Sequence, residues 1–120
     1  MQKLAIVDDE PEILDILRRF LTSGEKYQVT TYADPVRALP EIIASNTDLV
    51  LLDIMMPGMD GIDFLAQMKR EKPGIKIIMI TAHSTLDRVL KSHKNSADDF
   101  VTKPIDLADL QRRISNILEK

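Results

Sequence analysis

Four short apolar runs in this chain are each followed by polar residues, and this recurrence constrains the fold more than any other feature. The runs and the residues that follow them are Leu4–Val7 with Asp8 and Asp9, Leu49–Leu52 with Asp53, Ile77–Ile80 with Thr81, and Phe100–Thr102 with Lys103. Runs of this length that are rich in branched apolar residues predict buried strands. Because the carboxyl ends of parallel strands meet at one edge of a sheet, we expect these polar side chains to converge.

Segments with helical spacing separate five predicted strands, which fall at about 4–7, 28–32, 48–53, 76–81 and 99–102. The apolar residues that mark the five helices lie within 13–21, 36–43, 62–68, 86–90 and 107–118. Five strand–helix units in series predict a parallel sheet with helices on both faces. Right-handed crossovers then make the fold a doubly wound five-stranded α/β sandwich, and we expect residues 1–120 to form a single domain.

Residues that favour helix ends lie beside most of the predicted helices. Asp9 is the predicted N-cap of the first helix, and Gly24 is expected to end it. Asp34 is expected to open the second helix and Asp106 to cap the fifth. Pro40 lacks an N–H group and is expected to interrupt the second helix.

Composition narrows the class of protein. The chain has 120 residues, of which 44% are hydrophobic and 29% are charged, as is typical of one soluble domain. A net charge of -3 argues against binding to nucleic acid or to an anionic membrane. The absence of Cys excludes disulfides and thiolate metal sites. Without a signal-peptide pattern or an apolar run of membrane-spanning length, the cytoplasm is the predicted location.

The acidic residues at the strand ends predict a metal site. Asp8, Asp9 and Asp53 would repel one another if they lay together, and a divalent cation that prefers oxygen ligands, such as Mg²⁺, would relieve that repulsion. The alternative is that Asp9 only caps a helix and Asp53 only ends a strand. Lys103 is predicted to pair with Asp53 or to neutralise a phosphoryl oxygen, to which the Thr81 hydroxyl would also donate.

The same residues resemble a known family. The motifs Asp8-Asp9, Asp53–Gly61, Thr81-Ala82 and Ala97–Pro104 are similar, in order and in spacing, to those of the receiver domain of two-component response regulators. The resemblance covers the whole chain. It implies a flavodoxin-like fold with strand order 2-1-3-4-5, and it implies a regulatory domain, which catalyses only its own phosphorylation and dephosphorylation.

The resemblance also implies a role for each residue of the acidic group. Asp53 would accept a phosphoryl group from a histidine kinase or a phosphotransfer protein. Asp9 would bind Mg²⁺ directly and Asp8 largely through water, while Met55 would contribute its backbone carbonyl to the metal.

Further roles implied by the resemblance concern the signal that leaves the site. Lys103 and Thr81 would hold phosphoryl oxygens, and the Lys103–Pro104 peptide would be cis. Phe100 would act with Thr81 as a switch that alters the surface of the fourth helix, the fifth strand and the fifth helix. That surface would bind a downstream protein or a fused output domain.

Two other classes of protein use similar residues, and this chain lacks a feature that each of them needs. A haloacid dehalogenase-like phosphatase would need an acidic residue two positions after its nucleophile, where this chain has Met55. A flavin protein would need a phosphate loop, whereas Asp8–Glu10 would repel a flavin phosphate.

The chain also departs from the receiver pattern in places. Ser96 stands where the receiver family commonly has Gly, and the segment 91–96 is unusually polar for the end of the fourth helix. His83 and His93 are not expected to be metal ligands. The sequence is compatible with a complete single-domain regulator and with the receiver part of a longer one.

Overall fold

The computed structural model describes residues 1–82 and 97–119 and shows a parallel sheet with helices on both faces. Its strands are β1 (Gln2–Val7), β2 (Tyr27–Tyr32), β3 (Leu49–Asp53), β4 (Lys76–Ala82) and β5 (Asp99–Lys103). Its helices are α1 (Pro11–Thr22), α2 (Pro35–Ile43), α3 (Gly61–Glu71) and α4 (Leu107–Leu118). The fourth predicted helix lies outside the described residues, so α4 is the fifth of the helices predicted from sequence.

The sheet has the order β2-β1-β3-β4-β5, and every neighbouring pair of strands is parallel. This confirms the predicted α/β class and strand order. All five predicted strands are present, and their ends agree with the prediction to within two residues. No helix among residues 1–82 and 97–119 has the length and apolar character that a membrane span requires.

Side chains alternate between the two faces of the sheet and form two separate apolar cores. One core contains Val50, Leu52 and Met79 and is covered by α2 and α3, whose Phe64 is fully buried there. The other contains Ile6, Leu51 and Val101 and is covered by α1 and α4. Strand β3 is buried along its whole length, as expected of a central strand that is covered on both faces.

The same alternation brings the polar residues of three strands to one face. Asp8, Asp53 and Lys103 each follow by two positions a residue of the α1–α4 core, namely Ile6, Leu51 and Val101 respectively. Residues two apart in a strand lie on the same face. The three charged side chains therefore extend that core at the carboxyl edge of the sheet.

Helix ends confirm some of the predicted caps and correct others. The carboxylates of Asp34 and Asp106 accept hydrogen bonds from the backbone at the starts of α2 and α4, as predicted. The prediction for Asp9 was wrong, because the N-cap of α1 is Glu10, whose side chain makes no capping hydrogen bond. Helix α2 continues through Pro40 to Ile43, so this proline does not end the helix.

The end of α1 agrees with the prediction in its position, since Gly24 directly follows the C-cap, but not in the conformation of the glycine. The helix ends at Thr22 with Ser23 as its C-cap, one residue before Gly24. The hydroxyls of Thr22 and Ser23 donate to the carbonyls of Arg18 and Phe20, and the bond to Phe20 satisfies one of the acceptors that a helix leaves open. The left-handed residue of this turn is Glu25, with φ 57°, so the conformational freedom of Gly24 is not used.

The loop between β3 and α3 depends on a close backbone approach. A Cβ atom on Gly61 would lie 2.4 Å from the Cα atom of Ile54, which is closer than any real contact of that kind. Asp60 caps α3 by accepting a hydrogen bond from the Ile62 N–H at 2.8 Å. Gly58 has a φ of 91°, a conformation that glycine adopts without strain. These residues hold the loop that follows Asp53 against the end of its own strand.

Candidate functional site

The ammonium group of Lys103 lies among three carboxylates at the carboxyl edge of the sheet. Its Nζ atom is 3.0 Å from Asp53 Oδ2 and 3.0 Å from Glu10 Oε1, and it donates a hydrogen bond to each. It is also 3.3 Å from Asp8 Oδ2, which is within ion-pair distance. Residues from β3, from β5 and from the segment after β1 therefore meet at one cation, as the strand-end pattern predicted.

Backbone groups fix the two buried carboxylates. Asp53 is 3% exposed, and its Oδ1 atom accepts a hydrogen bond of 3.0 Å from the N–H of Met55. Asp8 is 0% exposed, and its Oδ1 atom accepts a hydrogen bond of 2.9 Å from the N–H of Glu10. In each case the carboxylate folds the two residues after it into a tight turn. The turns hold both carboxylates at the sheet edge.

The electrostatics of the site reflect this crowding. Burial raises the pKa of Asp8 from 3.8 to about 6, the hydrogen bond from Glu10 opposes that rise, and the nearby charge of Asp53 adds to it. Burial acts to lower the pKa of Lys103, but its hydrogen bonds to Glu10 and Asp53 outweigh burial, and the pKa rises. The site therefore keeps its cation protonated and carries an excess of negative charge.

The acidic residues have the arrangement that a hard divalent cation requires. Asp8, Asp9, Glu10 and Asp53 each offer one carboxylate oxygen, and the four oxygens all lie within 4.8 Å of one another. Asp8 Oδ2 is buried and has no hydrogen-bond partner among residues 1–82 and 97–119. A buried carboxylate oxygen without a partner is costly, and a bound cation would satisfy it. The chemistry and the spacing of these residues therefore fit a bound Mg²⁺ ion.

Thr81 and Phe100 lie on the opposite face of the sheet from the charged group. Thr81 is fully buried at the end of β4, and its hydroxyl donates to the carbonyl of Ala82 at 3.4 Å. Phe100 is partly buried against the α2–α3 core and is the register partner of Met79, which lies two residues before Thr81. The described contacts do not join Thr81 to Asp53 or to Lys103.

The predicted site residues thus fall into two groups. The structure brings Asp8, Asp9, Asp53 and Lys103 together, and it places the backbone of Met55 beside them. The Lys103–Pro104 peptide is cis, as the family resemblance implied. His83 and His93 lie outside the described residues. Sequence reasoning missed Glu10 as a partner of Lys103, although a third acid directly after Asp8 and Asp9 was a visible signal.

Residues 4–115 match the model of the response regulator receiver domain. The chain belongs to this family and is a receiver domain of the two-component response regulator type. The response regulator SaeR of Staphylococcus aureus is 37% identical over 120 residues, which are 100% of this chain and 52% of SaeR. The chain spans between a quarter and about half of the length of the curated relatives it matches.

Solved structures agree with this assignment. A CheY-like receiver domain protein from Methanospirillum hungatei superposes with a TM-score of 0.89 and 32% identity, covering 99% of this chain and 94% of the other. TrrA of Thermotoga maritima, solved in complex with Mg²⁺-BeF, has a TM-score of 0.85 and 32% identity, covering 97% of this chain and 98% of the other. These matches confirm the family predicted from the motifs and give no support to the phosphatase alternative.

Proposed function

We propose that residues 1–120 form one receiver domain in which Asp53 is the phosphoacceptor and Mg²⁺ the required cation. The observation that carries the proposal is the position of the Asp53 carboxylate. Its Oδ1 atom is held by the Met55 N–H and its Oδ2 atom by Lys103, next to the buried acid Asp8. A carboxylate fixed in this way is oriented for attack on a phosphorus atom, since in-line transfer depends chiefly on positioning and charge neutralisation.

The transfer forms one bond and breaks another. An oxygen of Asp53 forms a bond to the phosphorus of a phosphohistidine on a kinase or a phosphotransfer protein. The bond from phosphorus to the donor nitrogen breaks, and its electron pair stays on that nitrogen. Lys103 is already 3.0 Å from Asp53 Oδ2, so its ammonium can bind a phosphoryl oxygen as negative charge is redistributed.

The acidic group would hold the metal. Asp8, Asp9 and Asp53 would supply carboxylate oxygens and Met55 its backbone carbonyl, and the Oδ2 atom of Asp8, which accepts no hydrogen bond within the described part of the chain, supports this set. When bound, Mg²⁺ neutralises charge on the transferring phosphoryl oxygens. A resident cation also explains why a fully buried carboxylate is tolerated beside another one.

Thr81 and Phe100 carry the signal away from the site in this proposal. Thr81 would turn its hydroxyl from the Ala82 carbonyl toward the phosphoryl group, and this movement would open space for the partly buried ring of Phe100. Support comes from their shared face of the sheet, where Phe100 packs against the α2–α3 core and is the register partner of Met79, two residues before Thr81 in β4. The output surface includes β5, α4 and the segment between β4 and β5.

The regulatory role determines the partners. The protein would receive its phosphoryl group from a cytoplasmic sensor histidine kinase or a phosphotransfer protein. Its altered surface would then control a downstream protein or a fused output domain. The domain would take the phosphoryl group from its donor onto its own carboxylate and later lose it to water, so its chemistry would be limited to its own phosphorylation and dephosphorylation.

Labelling with a small-molecule phosphoryl donor tests the proposal. Wild-type protein incubated with acetyl phosphate and Mg²⁺ should incorporate phosphate, whereas Asp53→Asn or the addition of EDTA should abolish incorporation. Asp63→Asn is the matched control, because Asp63 is an exposed acid in the first turn of α3. Equal labelling of wild type and Asp53→Asn would refute the assignment of the phosphoacceptor.

A further inference from the structure

Glu10 makes a contact with Lys103 that the proposed function does not use. Its Oε1 atom lies 3.0 Å from Lys103 Nζ, although the two residues are 93 positions apart in the chain. The Glu10 side chain is 51% exposed and the Lys103 side chain is 22% exposed, so the pair stands at the mouth of the site. The backbone N–H of Glu10 also donates to Asp8, which fixes where this side chain begins.

Lys103 makes hydrogen bonds to two of the three carboxylates around it and only an ion-pair contact with the third. An ammonium group has three N–H donors. Lys103 donates to Glu10 and to Asp53, yet Asp8 Oδ2, at 3.3 Å, receives no hydrogen bond from it or from any other described residue. Among the described residues, the buried Oδ2 atom of Asp8 thus has only an ion-pair contact with this ammonium, while an exposed carboxylate takes a hydrogen bond from it. Glu10 therefore draws the ammonium outward, toward the mouth of the site.

We propose that Glu10 competes with the phosphoryl group for Lys103 and so sets the affinity of the site for that group. The proposal rests on the proposed function, in which Lys103 binds a phosphoryl oxygen. Lys103 must give up its bond to Glu10, or share it, when a phosphoryl group arrives. The contact therefore stabilises the unphosphorylated state selectively, as any residue that shifts this equilibrium must. Glu10 acts as a positioning residue, through Lys103.

The size of the effect follows from exposure. Half-exposed ion pairs are screened by water and change an equilibrium by about five-fold at most. Glu10→Gln keeps the shape of the side chain and removes its charge. This variant should therefore bind a phosphoryl mimic about two- to five-fold more tightly than wild type. The difference should shrink as ionic strength rises, because salt screens the pair.

Two controls separate the contact from a general effect of charge. Glu12→Gln makes the same change in net charge on an exposed residue of α1 for which the described part of the chain shows no ion pair. It should bind the mimic as wild type does. Glu10→Asp keeps the charge but shortens the side chain by one methylene, so the carboxylate no longer reaches Lys103 at 3.0 Å. It should behave like Glu10→Gln.

The test is a titration of wild type and each variant of the 120-residue chain with beryllofluoride at saturating Mg²⁺, followed by NMR, with Mg²⁺ affinity measured separately by calorimetry. The proposal predicts tighter beryllofluoride binding for Glu10→Gln and Glu10→Asp only. Wild-type affinity in Glu10→Gln, equal tightening in Glu12→Gln, or wild-type behaviour of Glu10→Asp would each overturn it. Weaker Mg²⁺ binding in Glu10→Gln than in Glu12→Gln would also overturn it, because Glu10 would then be a metal ligand.

Failure of the proposed function is distinguishable from failure of this inference. If wild-type protein binds Mg²⁺ but not beryllofluoride, the phosphoryl site itself is wrong, and the role of Glu10 falls with it. If wild type binds both and the Glu10 variants match it, the phosphoryl site stands and only the competition is refuted. Thermal unfolding of every variant checks that each one is folded.

Discussion

Replacing Asp8 with Asn should stabilise the metal-free protein. Burial raises the pKa of the Asp8 carboxyl from 3.8 to about 6, so keeping this group ionised costs the folded state free energy. At about 1.4 kcal/mol per pKa unit, the cost near pH 8 is at most about 3 kcal/mol. Asn keeps the shape of Asp8 and removes the charge; the attraction of Lys103 at 3.3 Å is already contained in this cost, but the amide of Asn can place an NH2 group where Oδ2 faced the ammonium. We therefore expect a net gain of about 1–2 kcal/mol.

The pH dependence of that gain has a definite sign. A carboxyl whose pKa is raised on folding costs stability above the folded value and nothing below the unfolded one. The advantage of Asp8→Asn should thus be complete above pH 6 and should disappear as pH falls from about 6 to 3.8. With Mg²⁺ present, the wild type should become the more stable of the two proteins, because bound Mg²⁺ stabilises the folded wild type and the variant lacks one of the carboxylates that hold the metal.

Thermal and urea unfolding in EDTA at pH 8 and at pH 4 measure this prediction. A gain of 1–2 kcal/mol corresponds to a rise in Tm of roughly 4–10 °C for a domain of this size. Asp63→Asn, which removes an exposed acid from α3, should change stability by less than about 0.5 kcal/mol. An Asp8→Asn variant that is no more stable than wild type at pH 8 would refute the electrostatic reasoning.

Three further perturbations follow from the structure. Gly61→Ala should lower the free energy of unfolding in urea by about 2–3 kcal/mol, because its Cβ atom would clash with Ile54. Gly74→Ala, where a Cβ atom meets open space, should leave the stability nearly unchanged, and equal losses in the two variants would contradict this. Lys103→Ala should fold and bind Mg²⁺ but lose the NMR shifts that beryllofluoride causes in β5 and α4, and a full wild-type pattern would argue against its coupling role. Met55 is 60% exposed beside Asp53 and offers no group to orient water, so Met55→Asn should lose phosphate about ten-fold faster than the slow wild type; equal rates would count against this.

The architecture was predictable because four of the five strands, all except β2, contain a short apolar run that is followed by polar residues. Strand β3 is buried on both faces, so its sequence is a continuous apolar run that ends at Asp53. The capping acids Asp34 and Asp106 are isolated from other acids, and both were assigned correctly. Local signals of this kind depend on neighbours in the sequence, which are visible without a structure.

The errors arose where several residues compete for one role. Asp8, Asp9 and Glu10 all precede α1, and the sequence does not say which of them ends the extended segment. Asp8 bonds to the Glu10 N–H, so the helix begins one residue later than predicted, with Glu10 rather than Asp9 as its N-cap. The ion pair of Glu10 with Lys103 joins residues far apart in the chain, so the run of three acids indicates an acidic site but not which of these acids meets the lysine.

The central claim is that Asp53 is the residue that becomes phosphorylated. Borohydride reduces an aspartyl phosphate to homoserine, so peptide mass spectrometry can locate the modified residue directly. After treatment with acetyl phosphate and Mg²⁺ followed by borohydride, homoserine should appear at position 53 and should be absent when EDTA replaces Mg²⁺. Homoserine at Asp8, Asp9 or another acid, with Asp53 unchanged, would contradict the account.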